Sequence, residues 1–236
     1  MPVGAANRNS AAVALIAVLV PVLVIGNAVH VLAHGWFPRV EYGRLAPEPY
    51  GMTRAQRTAL ARTALDSIVP FGGGERELRN ARLPSGGPAF GDRELRHMRD
   101  VRRYLLGLYL IHAIGIAGLV VLGLMRRTRR VVRDGLAAGA LFTLGIAVLV
   151  AVYVAVSPVS FLGGFHRFFF SGGSWRFAET DTLRRLFPDS FWSDTAVALG
   201  ALVALQAVVL LGIALYWRRQ AIHPAPRRAA HARARL

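Results

Sequence analysis

Two histidines and one carboxylate are the residues of this chain best suited to acid–base work: His97, Asp100 three residues later, and His166. Imidazole titrates near neutrality, so it can take and return a proton at little cost. Three residues apart on a helix, His97 and Asp100 share a face. His166 opens a different kind of stretch, FHRFFFSGGSWRF, flanked by Gly163-Gly164 and followed by Gly172-Gly173, Trp175, Phe187, Phe191 and Trp192. Aromatic rings concentrate where apolar and wet surroundings meet, which places Phe161 to Asp194 in a membrane interface. Two histidines and an acid in such a setting suit general acid–base chemistry on a lipid ester. The same three side chains would also suit a metal site, as in a metal-dependent membrane lipid hydrolase. A non-catalytic helical subunit of a membrane complex is the third reading.

Other chemistries lack their residues. No G-x-S-x-G, H-E-x-x-H, phosphate-binding loop or dinucleotide fingerprint is present. There is no cysteine, hence no thiolate nucleophile and no disulfide framework. All 29 basic residues are arginine, which removes Schiff-base chemistry. His30 and His34 lie four apart at the end of the first apolar run, and His112 lies inside the second. His30 with His112 raises a haem-binding bundle, but their depths in the two runs oppose it.

The elements that must position these residues are helices in a bilayer. Hydrophobic residues make up 54% of 236 and mean hydropathy is +0.40, with four long apolar runs. The fold class is an all-α integral membrane protein. The expected spans are 10–33, 104–125, 136–156 and 195–217. The first run is too long for a signal peptide and lacks a clear cleavage site. Within it, Pro21 should kink the helix, and Asn27 and His30 need polar partners. A long loop, 35–103, follows. It should contain a short helix opened by a Thr53/Gln56 capping box and closed near Val69, with Leu60, Ala64, Leu65 and Ile68 inward. Residues 80–91 read as irregular. Asp92 is the expected N-cap of one continuous helix over about 93–125. At 1.5 Å per residue His97 then stands roughly 10 Å before Tyr104, at headgroup depth. The loop 158–194 carries the aromatic stretch, and 218–236 is a basic tail.

Charge sets the orientation. Five arginines crowd 126–133 and six more lie in the tail, whereas 158–194 balances its charges. The positive-inside rule puts both termini in the cytoplasm and both histidine segments outside. The net charge of +16 is read as topology and contact with membrane lipids, not nucleic acid.

The segments Glu94-Leu95-Arg96-His97-Met98-Arg99-Asp100-Val101, Phe165-His166-Arg167-Phe168-Phe169-Phe170, Trp175, Asp181-Thr182-Leu183, Leu186-Phe187-Pro188 and Phe191-Trp192 resemble the bacterial lipoprotein intramolecular transacylase family. The resemblance runs from the first span to the fourth. It implies a four-span enzyme of the bacterial plasma membrane with an extracytoplasmic active site. It also implies the reaction, transfer of the sn-2 acyl chain of a diacylglyceryl lipoprotein to the α-amino group of its N-terminal cysteine. His97 and His166 match the candidate catalytic pair. The expectation is that Asp100 orients His97, that Phe165, Phe168, Phe169 and Trp175 hold acyl chains, and that Arg99 and Arg167 meet headgroups. No cofactor is expected.

Overall fold

A computed structural model of the chain describes residues 3–170 and 175–222; most of the basic tail (223–236) and four residues of the aromatic stretch (171–174) lie outside it. Nine helices are present among the described residues: α1 Val3–Leu32, α2 Trp36–Glu41, α3 Arg54–Ile68, α4 Gly74–Asn80, α5 Asp92–Leu124, α6 Arg129–Val156, α7 Pro158–Phe169, α8 Thr182–Leu186 and α9 Asp189–Ile222. Four of them, α1, α5, α6 and α9, are long and apolar enough to cross a membrane. The protein is an all-helical membrane protein.

Small residues set how closely the long helices approach. A Cβ on Gly139 of α6 would lie 2.6 Å from Val20 Cβ, and one on Gly135 would lie 2.7 Å from Ile16 Cβ. Apolar side chains gain little from leaving lipid for protein, so close backbone approach through glycine carries such contacts. Together with Val24, Ala28, Val132 and Val203, Ile16 and Val20 form the bundle core. α5 meets α1 through two similar notches. The ring of His112 lies on Gly26, and Leu23 and Leu19 lie on Gly115. Beyond Tyr104, Gly115 is the one buried residue of α5.

The polar groups of the first span do find partners. Asn27 Nδ2 donates to Gln206 Oε1 at 2.9 Å, and its Oδ1 lies 2.8 Å from His112 Nε2. This ladder joins α1, α5 and α9 inside the membrane. His30 packs instead against His34 and Tyr109, with ring centroids 5.0 and 5.7 Å away. The two histidines considered for haem are therefore engaged with different neighbours. α1 passes through Pro21 without ending.

Outside the bundle, α2, α3, α4 and α8 pack on the first turns of α5 and α9. The core there includes Phe37, Leu60, Ala64, Ile68, Leu78, Leu95, Leu186 and Phe191. α3 begins with the expected box: Thr53 N donates to Gln56 Oε1 (2.9 Å) and Gln56 N to Thr53 Oγ1 (3.3 Å). α4 is a helix the triple glycine concealed; Gly74 starts it with φ +69°, open only to a residue without Cβ penalty. Arginines fasten the layer to backbone carbonyls. Arg57, stacked 4.2 Å over the Tyr42 ring, reaches Ala46 O and Leu186 O, and Arg102 reaches Ser67 O and Val69 O.

The long helices run past the expected spans, α1 from Val3, α6 from Arg129 and α9 to Ile222, and two boundaries beside the aromatic stretch differ in kind. Ser157 turns the chain out of α6, as foreseen, but Pro158 then begins a new helix. Proline suits a first helical position, where its missing N–H would bond nothing. α9 starts at Asp189, six residues before Thr195, because Ser193 and Thr195 turn their hydroxyls back to Asp189 O and Phe191 O and so do not interrupt the helix.

Candidate active site

His97 sits on the second turn of α5, and the start of that helix is fixed from two directions. Gly91, not Asp92, is the N-cap. Glu94 accepts from Gly91 N at 2.7 Å through Oε2 and from Leu183 N at 2.7 Å through Oε1. One buried carboxylate thus closes the first turn of α5 and holds the first turn of α8. Burial drives the Glu94 carboxyl above the ordinary carboxylate range, opposed by the two N–H donors. Leu95 and Met98 turn into the outer core, which leaves His97 facing the chain that follows α7.

His166 approaches from α7, and the two rings stack with centroids 6.4 Å apart and planes 25° apart. Trp175 also stacks on His166, at 4.8 Å and 29°. Phe170 lies 4.8 Å from His97 and 5.8 Å from His166, and Phe177 lies 5.3 Å from His97. Phe177 is itself covered by Arg93, which pairs with Asp181 at 2.6 Å. Tyr104, the first residue of the apolar run, meets Phe169 and Phe170 at 5.5 and 5.7 Å. Phe170 therefore bridges the histidine pair and the upper edge of the membrane-crossing residues, 104–124.

Within this enclosure His97 is an uncharged ring. It is buried, and among the described residues its buried Nδ1 has no hydrogen-bond partner. Desolvation lowers its pKa from 6.5 to about 4, helped by the charge of His166 and opposed by that of Asp100. Asp100 acts on His97 through charge; no hydrogen bond joins them among the described residues.

The other expected residues divide. Phe165 lies 5.6 Å from His166 and 4.9 Å from Phe169, so both border the site. Phe168, 83% exposed, faces away from it and touches Phe169. Arg167 folds back toward Gly163 on its own helix. Arg99 is held by Glu75 in two hydrogen bonds of 2.9 and 2.7 Å, fastening α5 to α4. Phe170 and Phe177 were missed as site residues. The run of three phenylalanines contained the signal for one, but not which ring would turn inward.

No three His, Asp or Glu side chains converge as a metal-binding group among the described residues. What the arrangement offers is two imidazoles in contact, one uncharged, inside an aromatic enclosure at the membrane edge. The class so defined is a four-span membrane protein with a candidate acid–base site at the membrane edge. The family model of the lipoprotein intramolecular transacylase Lit matches residues 13–192. The chain belongs to this family. A solved structure of Lit from Bacillus cereus superposes with a TM-score of 0.78 at 16% identity, covering 92% of this chain and 99% of that one. A variant of that enzyme with a histidine-to-alanine substitution gives 0.67 at 15% identity, over 92% and 96% of the two chains. An uncharacterised protein of Aquifex aeolicus is 29% identical over 203 residues, 84% of this chain and 90% of its own.

Proposed function

We propose that the protein moves the sn-2 acyl chain of a diacylglyceryl-modified lipoprotein onto the α-amino group of the same molecule's N-terminal cysteine. The observation that carries this reading is the contact between His97 and His166 inside the aromatic enclosure. The cysteine belongs to the substrate, so a chain without cysteine is suited to the task.

The amine nitrogen attacks the sn-2 ester carbonyl, forming a C–N bond and a tetrahedral oxyanion. His97 takes the amine proton. The carbon–oxygen bond to glycerol then breaks, and the leaving oxygen receives a proton, giving an amide and a free 2-hydroxyl. His166 donates to the oxyanion or to the leaving oxygen. Ester aminolysis runs downhill and needs no energy source. Amine and ester share one molecule, which removes the entropy cost of bringing two reactants together.

A base with a pKa of about 4 is weak at rest, and the reaction itself corrects this. An oxyanion about 4 Å away, at an effective dielectric of 20, favours imidazolium by about 4 kcal/mol. That is worth about three pKa units, so His97 becomes a competent base as the oxyanion develops. Asp100 adds a smaller push in the same direction. Phe165, Phe169, Phe170 and Trp175 hold the acyl chain, and the site faces the extracytoplasmic side.

The test is N-acylation of a purified diacylglyceryl lipopeptide, followed by mass spectrometry. His97→Ala and His166→Ala should each abolish transfer while the protein remains folded in the membrane. Asp100→Asn should cost a few-fold, since it removes a charge and no hydrogen bond to His97. Chelators should have no effect. Near-normal turnover in either histidine variant removes that residue from the mechanism; loss on chelation, restored by zinc, transfers both to a metal-dependent reaction.

A further inference from the structure

A second polar feature lies on the outer layer, lined by none of the residues around His97 and His166. α2 and one side of α3 bound an open groove with a volume of about 810 Å³. Its charged lining is Arg39, Arg54 and Arg62, with no carboxylate among the lining residues. Arg54 Nη2 donates to the Arg39 carbonyl at 3.1 Å, which fixes one guanidinium beside the other's backbone. Asp66 engages only one edge of Arg62, at 3.4 Å. Thr58 and Thr63 turn their hydroxyl protons back to Arg54 O and Ala59 O, so the donors facing the groove are guanidinium N–H groups. Guanidinium groups lining one groove with no carboxylate among them favour an anion there, and their planar forks match phosphate oxygens.

The depth of the groove says which anion. Trp36 Nε1 donates to Val31 O at 2.7 Å, so the indole lies back along the last turn of α1, where that helix leaves the membrane. Arg39 and Val40, three and four residues further along α2, share the Trp36 face. Trp36 and Val40 are 47% and 50% exposed, as interfacial anchors are. Arg62 packs on Gly35, three residues beyond the end of α1; a Cβ there would lie 3.0 Å from Arg62 Cγ. The three guanidinium groups therefore ring a concavity at headgroup depth.

We propose that this groove binds the phosphate of an anionic phospholipid headgroup, in the leaflet that borders the histidine pair. The bound lipid fastens α2 and α3 to the bilayer surface. The binding is independent of acyl transfer and stands or falls separately from it.

The experiment uses the full-length protein in nanodiscs of phosphatidylcholine with a minority of phosphatidylglycerol. Native mass spectrometry then counts the phosphatidylglycerol retained on release. Removing one guanidinium should weaken retention about five-fold, the worth of one basic residue at a lipid surface. Arg39→Gln should show that loss, and Arg39→Gln with Arg54→Gln a greater one. Arg39→Lys, which keeps the charge, should recover most of the retention. Arg76→Gln, an equal charge change at an exposed position on α4, should match the unaltered protein. Excess inorganic phosphate should not displace the lipid. Equal retention in Arg39→Gln and the unaltered protein overturns the proposal, as does an equal loss in Arg76→Gln. Displacement by inorganic phosphate alone also overturns it, by making the groove a site for free anions.

Discussion

Burying an uncharged imidazole links His97 to stability as well as to chemistry. Its folded pKa of about 4 lies below the unfolded value of 6.5. The neutral ring therefore contributes stability that is complete above pH 6.5 and is lost as pH falls toward 4, because the unfolded chain binds the proton first. The full difference is about 3 kcal/mol. Thermal unfolding in detergent, followed from pH 7 to pH 4, should show the wild type losing this amount relative to His97→Phe, which cannot titrate; parallel curves would place His97 in a wetter site. Between pH 6 and 8 folded His97 stays neutral, so transfer there should follow the substrate amine, whose pKa is about 7.7–8.0. Lipopeptides with a less basic terminal amine should reach their plateau at correspondingly lower pH. A rising limb that ignores the amine would remove amine deprotonation from the rate.

α5 is two structures joined end to end. Its first twelve residues are amphipathic, charged on one side and packed on the outer core on the other; from Tyr104 onward it is a lipid-facing span. Glu94 governs the first part, since its carboxylate ties Gly91 N and Leu183 N to one point. Glu94→Ala leaves those N–H groups without their acceptor and should cost about 3 kcal/mol, an unsatisfied buried donor being worth 1–3. Amide exchange at Leu183 should accelerate, and transfer should fall, because Phe177 and His97 lose their common anchor. Unchanged exchange at Leu183 would deny Glu94 this role. The α1–α6 seam is set differently, by the absence of side chains. Gly139→Ile forces a branched side chain into Val20 and the Ala17 backbone and should destabilise the bundle by about 1–3 kcal/mol. Gly145→Ala, with nothing within 4 Å of its Cβ, should not. Detergent melting of the two variants makes the comparison.

For the whole molecule, the orientation proposed from arginine distribution has both termini in the cytoplasm and His97 and His166 outside. A reporter fused after Arg130 should be active only in the cytoplasm, and one fused after Trp175 only outside. The same compartment for both would sink the orientation. Four spanning helices of antiparallel neighbours put the end of α1 and the starts of α5 and α9 on one side, and the outer layer is built from the chain that links them.

Composition and periodicity alone determined the membrane class, the four long helices and the capped start of α3. Those features depend on local residue runs: a helix needs an apolar length, and a cap needs two residues three apart. Sequence also singled out His97 and His166, because imidazoles are conspicuous among apolar neighbours. Their contact was decided only by tertiary structure, since residues 69 positions apart meet through the turn at Ser157, the new helix at Pro158 and the grip of Glu94 on Leu183. The same holds for the arginines. Arg99 reads as a headgroup ligand in the sequence, yet it folds onto Glu75, as Arg57 and Arg102 fold onto backbone carbonyls, because a guanidinium side chain is long enough to choose among acceptors that only packing brings within reach. Which phenylalanine of three adjacent ones faces the histidines follows from the helical turn at the end of α7, which carries Phe168 outward and Phe170 in.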